Sequence, residues 1–98
     1  MDINIHSVHF DADNKLLDFV SKKLNKLEKY YDNIVDAEVF LRLKKDQDTE
    51  NKVVEVKVNI PGNELFAKKN SKSFEESTDL VFDALKRQVT KHKEKMRL

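Results

Sequence analysis

A chain of 98 residues, 39% apolar and 38% charged, has room for one modest core and too little for two, so a single domain over residues 1–98 is expected. Cysteine is absent, which excludes a disulfide framework, a thiolate nucleophile and Cys-ligated zinc or iron–sulfur chemistry. The 19 basic and 18 acidic residues leave a formal net charge of only +1, so local fields rather than net charge decide the partners.

In chain order, Ile3-Asn4-Ile5 and Val8-His9-Phe10 alternate apolar and polar but change parity in between, which predicts a first strand carrying a bulge. Met1-Asp2-Ile3-Asn4 lacks the basic and apolar regions of a signal peptide, and no apolar run is long enough to span a bilayer; a cytoplasmic location is expected. Asp11, Asp13 and Asn14 are N-cap candidates for an amphipathic helix whose stripe is Leu17, Val20, Leu24, Leu27 and Tyr31, ending near Asn33. Val35, Ala37, Val39, Leu41 and Leu43 then alternate with polar residues and Phe40 as a half-buried strand. The polar turn from Asp46 to Asn51 leads to a strand through Val54, Val56, Val58 and Ile60.

Pro61 and Gly62 suit a type II turn, the ring presetting φ and the glycine accepting positive φ. A short strand around Glu64 to Lys69 follows. Ser73-Phe74-Glu75-Glu76 reads as a capping box opening a long helix with Phe74, Thr78, Val81, Leu85, Val89 and Met96 on one face. The order is β-α-β-β-β-α. A parallel crossover followed by an antiparallel meander places both helices on one sheet face, an α+β domain.

On a helical wheel Lys15, Lys22, Lys26 and Lys29 of the first helix fall within an arc of about 60° opposite the core stripe, with Phe19, Lys23 and Tyr30 on its flank. Such lysines are often just a solvated face; an exposed phenylalanine beside them favours a binding surface. In the last helix Glu75, Glu76, Asp79 and Asp83 precede a basic run of Lys86, Arg87, Lys91, Lys93, Lys95 and Arg97, opposed only by Glu94. Matching charge to the helix dipole, worth ~0.3–1 kcal/mol per charge, explains the final turn alone. The earlier cations point in nearly every direction, as in a helix that projects beyond its core.

A phosphate backbone is the partner these cations fit. A membrane is disfavoured because the basic end has no companion apolar face, and no helix-turn-helix or zinc finger suggests DNA reading; RNA recognised by shape and phosphate contact is expected. No nucleophile elbow, phosphate loop or metal-spacing motif appears, and the histidines His6, His9 and His92 read as structural or merely exposed. Asp46, Asp48 and Glu50 fall short of a calcium loop. Neither catalysis nor a cofactor, metal or small-molecule substrate is expected.

Phe19-Val20, Lys26-Leu27-Glu28-Lys29-Tyr30 with Asp32, and above all Arg87-Gln88-Val89-Thr90-Lys91-His92-Lys93-Glu94-Lys95 resemble the short ribosome hibernation-promoting factors, also called ribosome-associated inhibitors or sigma-factor modulation proteins. The resemblance spans nearly the whole chain. It implies a four-stranded sheet with two helices on one face, as in double-stranded-RNA-binding domains, and binding to the bacterial small ribosomal subunit in the channel for messenger and transfer RNA, with steric inhibition of translation. Lys23, Lys26, Arg87 and Lys91 match the family's basic motifs, and Lys22, Lys29, Lys86, Lys93 and Lys95 are implied neighbours of ribosomal RNA phosphates. Ser73-Phe74-Glu75-Glu76-Ser77-Thr78 departs from the family's usual opening of the last helix, though Asp79 is retained. The chain stops at Leu98 without the additional domain through which long members pair ribosomes, which leaves ribosome pairing open. Two other readings of the residues stand beside this one: a general structured-RNA binder or chaperone, and a protein-interaction module using an open sheet face with Phe40, Val53 and Phe66.

Overall fold

A computed structural model describes residues 1–45 and 49–96. The parts of the polar turn at Asp46 and Asp48, and the last cation, Arg97, lie outside the described residues. The order is β1 (Asp2–Ser7), α1 (Asn14–Asn25) continued by a 3₁₀ turn (Lys26–Lys29), β2 (Asp36–Leu43), β3 (Lys52–Ile60), β4 (Asn63–Ser71) and α2 (Phe74–Met96). β1 pairs parallel to β2, and β2, β3 and β4 form an antiparallel meander in the spatial order β1-β2-β3-β4.

Alternation along the strands decides what the sheet buries. Ala37, Val39 and Leu41 of β2, Val54, Val56 and Val58 of β3, and Leu65 and Ala67 of β4 point to one face, where they meet Val20, Leu24 and Leu27 from the first helix and Val81, Leu85 and Val89 from the second in one core. The expected α+β domain with both helices on one face is what forms. Burying each of the valines and leucines among them is worth roughly 1.5–3 kcal/mol. The stripe fails at its ends: Val35 is 56% and Leu43 45% exposed, because neither helix reaches the sheet's corners.

Pro61 and Gly62 make the two-residue link of the β3–β4 hairpin, in which Ile60 pairs with Asn63. Gly62 has φ +76°, the value a type II turn requires at its third position.

Three details differ from the sequence reading. No bulge follows Ile5. β1 ends at Ser7, the Val8 amide still donates to Leu41 O at 2.9 Å, and His9 takes φ +63°. This left-handed turn lifts the chain off the sheet, and Phe10 stacks on Phe74 with ring centroids 5.2 Å apart; the change of parity is the strand ending. Next, the first helix tightens at Lys26, and the amides of Tyr30 and Tyr31 both donate to Leu27 O, at 2.9 and 3.1 Å, closing it before Asn33. Finally, the capping box is half formed. Ser73 Oγ accepts from the Glu76 amide at 3.0 Å, but the Ser73 amide donates to Ser71 Oγ at 3.4 Å rather than to the Glu76 carboxylate, which is left in solvent. At the start of α1, Asp13 is the N-cap, accepting from the Leu16 amide at 2.9 Å.

Candidate nucleic-acid interface

The helices lie side by side and run in the same direction, as three contacts in succession show. Lys23 Nζ is 3.3 Å from Asp79 Oδ1. Tyr30 meets Phe82 edge-on at 6.4 Å between centroids, and Tyr31 meets His92 edge-on at 5.5 Å. Cations interleave with the aromatic rings of this seam: Lys23 Nζ sits 4.9 Å from the Phe82 centroid and Lys86 Nζ 4.8 Å from that of Tyr30. Each such contact is worth roughly 0.5–1 kcal/mol at an exposed site. Together they hold two long, otherwise mobile side chains in place.

Lys15, Lys22, Lys26 and Lys29 are exposed, as the wheel predicts. Glu28 stands among them, but its carboxylate turns away and accepts from the Met1 amino group at 2.6 Å. That hydrogen bond raises the amine above its ordinary pKa, with the Glu28 and Asp2 charges adding to it and desolvation opposing it. Glu28 is thereby drawn off the lysines, and the acids that stay beside this edge are Asp18, exposed one turn from both Lys15 and Lys22, and Glu94, which shares a cleft with Lys29. Phe19 and Tyr30 are half-buried rather than solvent-facing, and Tyr30 is taken up by the seam. Lys23, on the flank of the arc, is half-buried against Asp79 and Phe82.

On α2 the cations spread over the whole outward side: Lys86, Arg87 and Lys91 line one cleft of about 420 Å³ together with Asp83, Thr90 and Glu94. Lys86 and Lys93 lie on the side of α1, where Lys29, Tyr30, Thr90, Lys93 and Glu94 line a cleft of about 270 Å³. Arg87, Lys91 and Lys95 are spaced i, i+4, i+8 along one ridge that turns from the outward side toward β4, where Lys91 and Lys95 share a cleft of about 220 Å³ with Asn63, Leu65, Gln88 and His92. All are exposed except the half-buried Lys86. The apolar stripe stops at Val89; Met96, expected on it, is 70% exposed, so the last turns of α2 stand clear of the sheet. His92 keeps to the core side as expected, its buried Nε2 without a hydrogen-bond partner among the described residues.

Gln88 is the residue that sequence reasoning missed. Its side-chain amide donates from Nε2 to Phe66 O at 2.8 Å and accepts from the Phe66 amide at 3.3 Å, occupying both free backbone groups of the outer strand β4 at that residue. Its signals were a place inside the Arg87–Lys95 block and a polar residue at the margin of the apolar stripe, neither of which gives its partner. Among the described residues no cluster of His, Cys, Asp and Glu is placed to hold a metal, and no helix is long and apolar enough to cross a membrane.

Four strands and two helices in the order β-α-β-β-β-α, with both helices packed in parallel on one sheet face, define a class of small α+β domains. The chain belongs to the Sigma 54 modulation protein / S30EA ribosomal protein family, whose model matches residues 3–97. It is 34% identical over 95 residues to the ribosome hibernation promoting factor of Pseudomonas putida, covering 97% of this chain and 89% of that protein. To the ribosome hibernation promotion factor of Bacillus subtilis it is 35% identical over 96 residues, 98% of this chain but 50% of the relative. The fold matches that of a ribosomal subunit interface protein from Coxiella burnetii with a TM-score of 0.86 at 24% identity, over 96% of this chain and 99% of the other.

Proposed function

We propose that this chain is a ribosome hibernation factor that binds small-subunit ribosomal RNA in the channel for messenger and transfer RNA and blocks translation by occupying it. The observation that carries the reading is the pair of cationic rows on two rigid helices: Lys22, Lys26 and Lys29 on the first, and Lys86, Arg87, Lys91, Lys93 and Lys95 on the second, with Lys23 fixing their relative position. Cations on rigid elements neutralise successive phosphates and release counterions without the entropic cost of ordering a loop. The names of the relatives and membership of the family support the ribosome as the source of that RNA. No step of chemistry is assigned to the chain; inhibition is steric.

Lys26, Arg87 and Lys91 are exposed and make no ion pair among the described residues, so reversing all three to Glu leaves the core untouched. Ribosome binding is expected to weaken by several kcal/mol, on the order of one phosphate pair lost and one repulsion gained per site. Co-sedimentation with bacterial ribosomes at physiological salt measures this. Messenger with initiator transfer RNA is expected to displace the protein and unrelated duplex RNA is not. Displacement by any duplex would make it a general RNA binder, and unchanged binding of the folded triple variant would refute the surface.

A further inference from the structure

The sheet face turned away from the helices is mostly occupied by its own side chains. Phe40 is covered by the His6 ring, stacked at 5.0 Å, and by the Arg42 guanidinium at 5.2 Å, while Val53 is only 3% exposed. Glu38 lies 2.7 Å from His6 Nε2 and accepts from Asn4 Nδ2 at 3.4 Å, and Glu55 lies 3.7 Å from Arg42. One large apolar side chain on this face is left open: Phe66, on β4, is 48% exposed. Lys57 is directly opposite it in the β3–β4 register, and Lys68 follows two residues on, on the same face. Both lysines are exposed and neither makes an ion pair among the described residues. The acidic residues that stand across from them, Glu38 and Glu55, are engaged by His6 and Arg42; Glu64, two residues before Phe66, is the remaining acid beside it.

The backbone of Phe66 is held by Gln88, so the ring is presented from a fixed position. The same contact closes the strand edge there: with its amide and carbonyl already taken, Phe66 has nothing to offer an incoming β-strand. A peptide adding to the sheet is thereby disfavoured. An aromatic face between two free lysines instead fits a nucleobase, which stacks on the ring while the phosphates on either side meet the ammonium groups. The ridge of Arg87, Lys91 and Lys95 lies just around the β4 edge, and Lys91 and Lys95 line the cleft against Asn63 and Leu65.

We infer that Phe66, flanked by Lys57 and Lys68, is a stacking site for an unpaired nucleotide in RNA whose backbone runs from the Arg87–Lys95 ridge of α2 over the β4 edge. This rests on the reading of the chain as an RNA-binding protein and extends it from shape and phosphate contact to single-stranded RNA. Glu64 stands where the strand crosses the β4 edge, between Asn63 and Leu65 of the cleft that Lys91 and Lys95 line; those two lysines hold the crossing phosphates against its repulsion, and beyond Phe66 the strand leaves toward Lys68.

The test uses the whole chain and two probes, a short single-stranded oligoadenylate and an RNA duplex with the same number of phosphates. Phe66→Leu keeps the half-buried apolar contact but removes the π face; it is expected to bind the single strand about tenfold more weakly and the duplex as before. Phe66→Trp is expected to restore single-strand affinity, with its indole fluorescence quenched by the bound base. Far-ultraviolet circular dichroism and thermal unfolding verify that both variants fold. Single-strand affinity of Phe66→Leu equal to wild type, binding of the Trp variant without quenching, or no single-strand binding by wild type overturns the stacking site. If Phe66→Leu keeps its oligonucleotide affinity while the Lys26, Arg87 and Lys91 reversal abolishes ribosome binding, the helix surface stands and the Phe66 site falls. If Phe66→Leu loses ribosome binding alone, the face contacts a ribosomal protein and the nucleotide site is likewise overturned.

Discussion

At Gln88 an uncharged side chain follows Arg87 and comes three residues before Lys91, and its role differs from both. Its two hydrogen bonds to Phe66 fix the rotation of α2 about its own axis, so that the residues on the neighbouring ridge face outward. Gln88→Ala is expected to cost roughly 0.5–1.5 kcal/mol, the net worth of an exposed amide contact, and to weaken RNA binding although no charge is lost. Urea unfolding and a binding titration measure the two effects. A larger loss is expected at Ser77, which is fully buried. Its hydroxyl donates to Lys52 O at 2.6 Å and, that one hydrogen being used, can only accept from Ser71 Oγ, 2.9 Å away. Ser77→Ala removes the donor from the buried side of the Lys52 carbonyl, while Ser71 Oγ keeps Ser73 O and the Ser73 amide as partners; the expected cost is about 1–3 kcal/mol, measurable in the same urea unfolding. Neither role is legible in the sequence. A serine or glutamine at the edge of an apolar stripe reads alike whether it faces water or a backbone group, because the partner belongs to another element.

At the scale of elements, periodicity locates the strands and helices well, since a period of two or of 3.6 follows from backbone geometry alone. It handles the ends poorly. The 3₁₀ turn over Lys26–Lys29 advances by 120° per residue instead of 100°, so a wheel drawn for a continuous α-helix misplaces Tyr30, which folds into the seam against Phe82 and Lys86. The cationic arc remained legible because Lys15 and Lys22 precede that change, and Lys26 and Lys29 stand on the outer side under either geometry. The seam itself depends on which helix neighbours which, a long-range fact. There Asp79 holds Lys23 at 3.3 Å while being half exposed itself, so the pair contributes at most about 1 kcal/mol to stability. Asp79→Asn is therefore expected to lower stability by less than about 1 kcal/mol and to tighten polyanion binding, since Lys23 loses its competing carboxylate. Paired thermal unfolding and RNA titrations decide it; weaker binding by a fully folded Asp79→Asn would mean that the carboxylate is needed to hold Lys23 in position.

Over the whole molecule, the order of the four strands followed from the sequence because each element lies beside its chain neighbour, the simplest arrangement a β-α-β start and a meander allow. The distribution of charge in space did not follow so directly. Net charge is only +1 on a body 47 Å long, yet the acids of the first turns of α2 and the cations of its later turns lie apart along one helix. A nearly neutral protein with charge so arranged has little general attraction for a polyanion and a strong one when its cationic ridges face it. RNA affinity is accordingly expected to fall steeply with salt, the logarithm of the association constant decreasing linearly with that of the salt concentration in proportion to the phosphates neutralised. Lys91→Gln removes one ridge cation that is exposed and supports no packing, so the slope is expected to become shallower by about one and the affinity at moderate salt to drop without change in unfolding temperature. Lys44→Gln, a cation on the exposed end beyond β2 and remote from both ridges, is expected to leave the slope as it is. Equal changes in slope for the two variants would show that RNA senses the protein's total charge; a change for Lys91 alone ties binding to the ridge.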